Sequence, residues 1–195
     1  MSISPIPKSI NLSRSDKTNS IHILAGDHIW LKGNNGSGKT TFLKILLCQI
    51  KNYSGQIRKI VDLPIGYFSQ QHKTLNFNNS IYDNFAEATQ IYDEQKVRSI
   101  LANFLFRDKI LERLVSNISQ GERVRLIIAI LTNQDNQFLF FDEPTNHLDI
   151  ESRIILERTL ANYSGGFILV SHDRYFLNRI GINRIIEIKQ IYNRS

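Results

Sequence analysis

The chain has 195 residues, 42% of them hydrophobic, and a formal net charge of +6. This size and apolar content suffice for one domain with a sizeable core, and the positive charge favours acidic partners. The apolar runs, such as residues 138–141 and 167–170, are far shorter than the roughly 20 residues that cross a bilayer, so we expect no transmembrane segment.

The N-terminus and the cysteine content indicate a cytoplasmic protein. Near the N-terminus a lone Lys8 stands among Ser, Ile and Pro, and no continuous apolar segment precedes a cleavage site, which argues against a secretory signal. The single cysteine, Cys48, cannot form an internal disulfide. Because Cys48 falls in the apolar stretch 42–48, we predict that it packs in the core.

The first third of the chain is predicted to contain a small sheet, then a strand, a loop and a helix. Residues 1–26 are polar and irregular, with short β-prone pieces that suggest a small antiparallel sheet leading into the core. Residues 28–32 are predicted as a strand, 33–38 as a loop and 39–50 as a helix.

Strands and helices alternate through the rest of the chain, apart from one helical segment. Residues 80–117 have helical periodicity, which predicts a helical subdomain inserted at about 80–120. The other predicted elements are strands at 56–61, 65–68, 138–141, 167–170 and 184–188 and helices at 122–131, 150–161 and 173–180. This order predicts an α/β fold with a mostly parallel core sheet, helices on both faces and a single domain over residues 1–195.

The loop at 33–38 carries the first chemical motif. Residues 33–40 read Gly-Asn-Asn-Gly-Ser-Gly-Lys-Thr, which fits G-x-x-x-x-G-K-[ST] between a strand and a helix. The glycines allow backbone N–H groups to surround a phosphate, Lys39 would neutralise the β- and γ-phosphates of a nucleotide, and the Thr40 hydroxyl would bind Mg²⁺. A chance Gly-rich turn is the alternative, which the strand-helix context disfavours. The predicted ATP-binding residues of this segment are Gly33, Asn34, Asn35, Gly36, Ser37, Gly38, Lys39, Thr40 and Thr41.

Two acidic residues follow the apolar strand 138–141. A strand buried on both faces does not tolerate charge, so Asp142 and Glu143 are expected at its carboxyl end, where ligands bind in open α/β sheets. Asp142 would orient Mg²⁺, and Glu143 is placed to accept a proton from the water that attacks the γ-phosphate. Alternatively, the two acids merely end the strand.

Several motifs resemble those of ATP-binding cassette proteins. Residues 142–149, Asp-Glu-Pro-Thr-Asn-His-Leu-Asp, resemble the Walker B and D-loop run, and the Asn-His-Leu-Asp ending is typical of the ABC-F family, cassette ATPases that act on the ribosome. Residues 65–70, Ile-Gly-Tyr-Phe-Ser-Gln, resemble the Q-loop, and residues 171–177, Ser-His-Asp-Arg-Tyr-Phe-Leu, resemble the switch-histidine region. The resemblance implies a P-loop NTPase with the fold of an ABC nucleotide-binding domain.

The resemblance also implies roles for residues outside the first two motifs. Gln70 would contact Mg²⁺ and report the nucleotide state to the helical subdomain, and His172 would donate a hydrogen bond to the γ-phosphate. The implied catalytic residues are therefore Glu143, His172 and Gln70. The implied Mg²⁺ ligands are Thr40, Gln70 and Asp142, with ATP and Mg²⁺ as the cofactors.

The chain departs from the family pattern at two places. The signature is usually Ser-Gly-Gly followed by Gln or Glu, whereas residues 118–122 read Ile-Ser-Gln-Gly-Glu, with Gln120 in place of a glycine. The residues that would contact the ATP of an opposing cassette are Ser119, Gln120, Gly121, Glu122 and Asp149. Residues 2–29 also lack the aromatic that usually stacks on adenine, and Arg14 is the substitute that we consider.

Two functions fit the motifs. The first is an ABC-F-like cassette whose ATP-driven closure on a second cassette, from another copy or another chain, acts on the rRNA and tRNA of the ribosome in translation or antibiotic resistance. The alternative is the ATP-binding subunit of an ABC membrane transporter. The Asn146–His147 pair and the short span between Gln70 and Ser119 favour the first.

The helical segment between residues 96 and 125 is rich in positive charge. This excess has two interpretations, an RNA-facing surface or a solvated helical face. The segment has three acidic residues, Asp108, Glu112 and Glu122, and seven basic ones, Lys96, Arg98, Arg107, Lys109, Arg113, Arg123 and Arg125.

Overall fold

The computed structural model describes residues 9–13, 21–53, 56–59, 63–68, 75–146 and 148–188. The strands are β1 (Ser9–Ser13), β2 (Ile21–Leu24), β3 (His28–Lys32), β4 (Gln56–Lys59), β5 (Ile65–Phe68), β6 (Phe138–Asp142), β7 (Gly166–Val170) and β8 (Arg184–Glu187). The helices are α1 (Lys39–Leu46), α2 (Ile81–Thr89), α3 (Glu94–Ala102), α4 (Gln120–Asn133), α5 (Ile150–Ala161) and α6 (Arg174–Arg179), with short 3₁₀ segments at Asp108–Glu112 and Val115–Asn117.

The strands form two sheets. The three-stranded sheet has the order β2-β1-β4, and both of its pairings are antiparallel. The five-stranded sheet has the order β5-β6-β7-β3-β8, and all four of its pairings are parallel. The predicted α/β fold, with a parallel core sheet and a small antiparallel part near the N-terminus, is confirmed.

The parallel sheet lies between two apolar layers. All five residues of β7 are buried, and β6 is buried up to its final Asp142, as expected for strands covered on both faces. On one face, Leu43 and Leu46 of α1 pack with Ile29, Leu31 and neighbouring strand residues. On the other face, α4 and α5 cover Leu139, Phe141 and their neighbours, in a layer that continues into α2 and α3.

Helix boundaries differ from the predicted ones where capping decides them. α4 begins at Gln120 because Ser119 accepts a hydrogen bond from Glu122 N and the Glu122 carboxylate accepts one from Ser119 N, which forms a capping box. α6 begins one residue later than predicted because Asp173 caps it.

The predicted core position of Cys48 is wrong. α1 ends at Leu46, four residues before the predicted end, and Cys48 has a left-handed backbone with φ of 59°. The helical periodicity of residues 42–48 is therefore broken before the cysteine, whose side chain is exposed. Within the described ranges, no helix combines the length and the apolar composition needed to cross a bilayer.

Gly166 begins β7 and is closely packed, and its substitution tests the packing of the sheet. A Cβ at this position would lie 2.3 Å from the Ala25 carbonyl oxygen and 2.4 Å from the Phe138 ring. We expect Gly166→Ala to lower the free energy of unfolding by about 2 kcal/mol, because overpacking a rigid core displaces backbone and ring together. Thermal or urea unfolding measures the change.

Gly26→Ala is the matched control for this prediction. No atom lies within 4 Å of the Cβ that this substitution adds, so its unfolding transition should match that of the parent chain. If the parent chain, Gly166→Ala and Gly26→Ala all had the same free energy of unfolding, this would contradict the close packing around Gly166.

Candidate functional site

The candidate site lies at the carboxyl edge of the parallel sheet. The loop 33–38 joins β3 to α1, Asp142 ends β6, and Ser171 and His172 follow β7. Because β6, β7 and β3 are neighbours in the sheet, these three segments meet at one edge. This is the edge at which open α/β sheets bind their ligands.

The loop 33–38 exposes backbone N–H groups at the start of α1. Gly36 and Gly38 have φ of 75° and 96°, left-handed values that favour glycine and turn the peptide groups of the loop. Gly38, the N-cap residue of α1, has no side chain, and no side-chain cap of the first turn is found within the described ranges. The N–H groups of that turn, together with the positive end of the helix dipole, are therefore available to an anion.

Lys39 and Ser37 are buried polar residues of this loop. The Lys39 ammonium donates hydrogen bonds to the carbonyl oxygens of Gly33 at 2.9 Å and Asn34 at 3.0 Å. The buried Ser37 hydroxyl has no hydrogen-bond partner among the described residues. A buried polar atom without a partner is uncommon, so the loop retains hydrogen-bonding capacity for a ligand.

A cavity of about 420 Å³ connects the loop to the two acids that end β6. Lys39 and the two acids, Asp142 and Glu143, all contribute to the lining of this cavity. Burial, and to a smaller extent the Asp142 carboxylate, raise the pKa of Tyr67 on the neighbouring strand β5. The residues that line the cavity are Asn35, Gly36, Gly38, Lys39, Thr40, Thr41, Asp142, Glu143 and Val170.

Glu143 and His172 form a close pair beside this cavity. Glu143 Oε1 lies 3.3 Å from His172 Nε2. Glu143 has φ of 50°, a left-handed value that is costly for a residue with a Cβ, and its N–H donates to the Val170 carbonyl oxygen at 3.0 Å. The side chain of Glu143 is 20% exposed and that of His172 is 55% exposed, so both are accessible to a ligand.

Hydrogen bonds to Ser171 fix the backbone next to His172. The Trp30 indole donates from Nε1 to the Ser171 carbonyl oxygen at 3.1 Å. The Ser171 hydroxyl lies 3.4 Å from the Thr145 hydroxyl and accepts a hydrogen bond from Asp173 N at 3.1 Å. A second cavity of about 400 Å³ borders this region and includes Trp30, Asn34, His172 and Arg174 in its lining.

The signature residues contact the start of α5. A Cβ on Gly121 would lie 2.0 Å from Asp149 Oδ2, so only glycine allows this approach. Asp149 caps α5 by accepting a hydrogen bond from Ser152 N at 2.7 Å. This hydrogen bond is the main reason that the pKa of Asp149 is lowered, with smaller effects from the Ser152 side chain and the Arg125 charge.

Arg125 joins the signature helix to α5. Arg125 is 7% exposed, and its guanidinium lies within 4 Å of the Asp149 and Glu151 carboxylates and 3.3 Å from the Ser152 hydroxyl. The Phe106 ring centroid is 5.7 Å from the guanidinium carbon. Sequence reasoning counted Arg125 among surface charges and missed this role, because its partners are remote in the chain.

The predicted site residues therefore fall into two groups. The loop 33–41, Asp142, Glu143 and His172 meet at the sheet edge. The segment Ser119–Glu122 contacts Asp149, and neither contributes to the lining of the two cavities. The predictions for Gln70, His147 and Arg14 fall outside the described residues.

Some of the basic side chains between residues 96 and 125 bind other groups of the chain. Arg98 pairs with Glu94 at 2.8 Å. Arg123 donates to the carbonyl oxygens of Val115 and Ser116, and Arg125 is buried. Three of the seven basic residues thus have intramolecular partners, which weakens the interpretation of this segment as an RNA-facing surface.

The comparison with protein families agrees with the geometry. The family described as ABC transporter matches residues 17–146. The chain belongs to this family of ATP-binding cassettes. Similar proteins include the ATP-binding protein Uup of Haemophilus influenzae, 42% identical over 160 residues, and ABC transporter F family member 5 of Arabidopsis thaliana, 35% identical over 176 residues. These relatives are consistent with an ABC-F cassette, the type that the motif at residues 142–149 resembles.

The cassette is a small part of these relatives. The two alignments cover 80% and 89% of this chain but only 25% of either relative. A solved structure with the same fold is the dimeric post-hydrolysis state of the cassette MJ0796 bound to ADP and Pi, with a TM-score of 0.69, 20% identity and 95% of each chain covered. Another is the archaeal ribosome recycling factor aABCE1 in complex with the ribosomal stalk protein aP1, with a TM-score of 0.72, 22% identity, and coverage of 96% of this chain and 38% of the other.

Proposed function

We propose that residues 1–195 form a single ABC ATPase domain that binds Mg-ATP and hydrolyses it when paired with a second cassette. The observation that carries the proposal is the cavity at the sheet edge. Its lining brings together the uncapped start of α1, Lys39 and the two acids Asp142 and Glu143. This arrangement combines a binding site for the phosphates with acids for a metal ion and for proton transfer.

The loop 33–41 is the proposed phosphate site. Its backbone N–H groups would donate to the β-phosphate, and the Lys39 ammonium would exchange its two carbonyl partners for phosphate oxygens. The exchange replaces neutral acceptors by charged ones, which strengthens each hydrogen bond. The buried Ser37 hydroxyl supplies a further donor within the loop.

The residues beside the cavity suit a magnesium ion. Thr40 and Asp142 offer the oxygen ligands that Mg²⁺ prefers, and both line the cavity. Gln70 is proposed as a further ligand from the family resemblance alone. When bound, Mg²⁺ would neutralise part of the phosphate charge.

Glu143 is the proposed general base and His172 its partner. The Glu143 carboxylate can accept a proton from a water molecule held between it and the γ-phosphate. His172 Nε2 is 3.3 Å from that carboxylate, so it can orient Glu143, and its hydrogen bond to the γ-phosphate is proposed from the family resemblance. The two side chains would act together on one water molecule.

The second group of residues is proposed to complete the site of an opposing cassette. Asp149 lies against Gly121 in the first turn of α4. The N-cap and first turn of that helix are Ser119, Gln120, Gly121 and Glu122. The dimeric MJ0796 structure shares the fold of this chain and supports a second cassette as the partner. That cassette is a second copy of this chain or a cassette of another chain.

Closure of the paired cassettes is proposed to act on the ribosome, through rRNA or tRNA, as a translation factor or in ribosomal protection against antibiotics. Support comes from the relative named ABC transporter F family member 5 and from the ribosome recycling factor that shares the fold. The test is co-sedimentation of the chain with ribosomes. We expect Glu143→Gln with Mg-ATP to pellet with ribosomes and Lys39→Ala to stay in the supernatant. Equal recovery of both variants would overturn the ribosomal role and favour the transporter-subunit alternative.

The absence of an aromatic residue in positions 2–29 predicts weak selectivity for the base. A stacking contact is worth on the order of 1 kcal/mol, so without it the affinities for ATP and GTP should differ by less than about tenfold. Competition of ATP and GTP for a fluorescent nucleotide measures the ratio. A preference for ATP of about a hundredfold, near 2.7 kcal/mol, would show that another residue recognises adenine.

A further inference from the structure

The position of His172 depends on the residues on either side of it. Among the described residues, Glu143 is the polar partner of the His172 ring, and the side chain is 55% exposed. Ser171 is held by Trp30 and Thr145, as described above. On the other side, one oxygen of Asp173 caps α6 by accepting from Phe176 N at 3.0 Å.

The second oxygen of Asp173 binds an arginine of α5. Arg153 Nη2 lies 2.7 Å from Asp173 Oδ2, in an ion pair that is two-thirds or more buried on both sides. Arg153 follows Asp149 by one helical turn, and the backbone N–H of Arg153 donates to the Asp149 carbonyl oxygen at 3.0 Å. A direct chain of contacts therefore runs from Asp149 through Arg153 and Asp173 to the backbone of His172.

Arg153 is held in place by contacts other than Asp173. Its Nε lies 3.3 Å from Glu157 Oε1, and the Glu157 side chain is only 9% exposed. The Arg153 guanidinium stacks at 5.5 Å from the Tyr175 ring centroid. The guanidinium is thus fixed from three directions, which makes it a rigid link rather than a mobile surface charge.

Arg179 shares two of these partners but forms no ion pair with Asp173. Its Nε lies 2.9 Å from Glu157 Oε2, and its guanidinium is 5.2 Å from the Tyr175 ring centroid. Arg179 also donates to the Tyr175 hydroxyl at 2.8 Å. The chain therefore contains its own control for the effect of Arg153, because the two arginines differ in the contact with Asp173.

We propose that Arg153 is a positioning residue for His172. By joining α5 to the His172 loop, it makes the placement of His172 against Glu143 depend on the position of Asp149 in the same chain. The inference rests on the proposed function, in which Asp149 meets the opposing cassette while Glu143 and His172 act on the ATP of their own cassette. Through Arg153, contact of Asp149 with the opposing cassette would then affect the placement of His172 against Glu143.

The first experiment compares Arg153→Met with Arg179→Met in steady-state ATP hydrolysis. Arg153 lies outside the loop 33–41, so Arg153→Met should lower kcat about tenfold while KM for ATP changes by less than about twofold. Arg179→Met should retain the kcat of the parent chain. Asp173→Asn is the second variant, because asparagine still caps α6 but loses the charge that binds Arg153, and it should reproduce the effect of Arg153→Met.

To distinguish a positioning role of Arg153 from a merely structural one, Arg153→Met is repeated in the His172→Ala variant. If Arg153 acts through His172, Arg153→Met should lower the remaining activity of His172→Ala by less than about twofold, since coupled residues are not additive. A further loss of about tenfold in that background would overturn the proposal. A kcat loss in Arg179→Met equal to that in Arg153→Met would also overturn it.

A spectroscopic test does not depend on hydrolysis. The imidazole Cε1–H resonance of His172 is assigned by its loss in His172→Ala and is followed at constant pH without nucleotide. It should shift in Arg153→Met and Asp173→Asn but not in Arg179→Met. A parent chain that fails to hydrolyse ATP would contradict the proposed function, whereas an unshifted His172 resonance in both variants would contradict the role of Arg153.

Discussion

Replacing Lys39 by alanine is expected to weaken the binding of Mg-ATP by about a hundredfold or more, equivalent to roughly 3 kcal/mol. The Lys39 ammonium is buried in the loop and bound to two carbonyl oxygens, so it is already placed beside the phosphate site. Among the described residues, Lys39 is the only lysine that lines the cavity, so its removal takes this charge away from the phosphates. This loss exceeds that of a surface ion pair, because a buried charge is screened little by solvent.

Isothermal titration calorimetry of the Lys39→Ala variant measures this change. Lys44→Ala is the control, because Lys44 lies on the last turn of the same helix with its side chain exposed. The control should bind nucleotide like the parent chain, and both variants should show a similar unfolding transition. An unchanged affinity in Lys39→Ala would show that the loop is not the phosphate site.

The sequence predicts well what depends on neighbouring residues. The loop 33–38 and the acidic end of β6 follow from local patterns, and the structure brings them together because both end parallel strands of one sheet. The glycines at 36 and 38 have the left-handed backbone that the motif requires. These features need no knowledge of distant contacts.

Contacts between distant segments were not predictable in the same way. The approach of Asp149 to Gly121 depends on the packing of α5 against α4, and Arg125 reaches a partner 27 residues away. Arg153 and Asp173 are typical surface residues in the sequence, and only the packing of α5 next to α6 pairs them. For Cys48 the local pattern itself led to the wrong prediction. The apolar pattern continues beyond Leu46, where α1 ends, and Cys48 has a left-handed backbone.

Glu143→Gln is expected to bind ATP as the parent chain does and to lose most of its hydrolysis, by about a hundredfold or more. Glutamine keeps the shape of glutamate but cannot accept a proton. Since the ligand that holds the closed state is no longer consumed, the variant should accumulate as an ATP-bound dimer, whereas the parent chain should dimerise only transiently. Light scattering with saturating Mg-ATP measures the mass.

Glu112→Gln controls for the charge change, because Glu112 is exposed and lies in the helical segment between α3 and α4. This control should hydrolyse ATP and remain largely monomeric. The dimer of Glu143→Gln should disappear when Lys39→Ala is added, because ATP must bind before the two cassettes can close on it. A Glu143→Gln variant that binds ATP but stays monomeric would contradict self-pairing. The segment Ser119–Glu122, with Gln120 in place of a glycine, would then require a cassette of another chain as its partner.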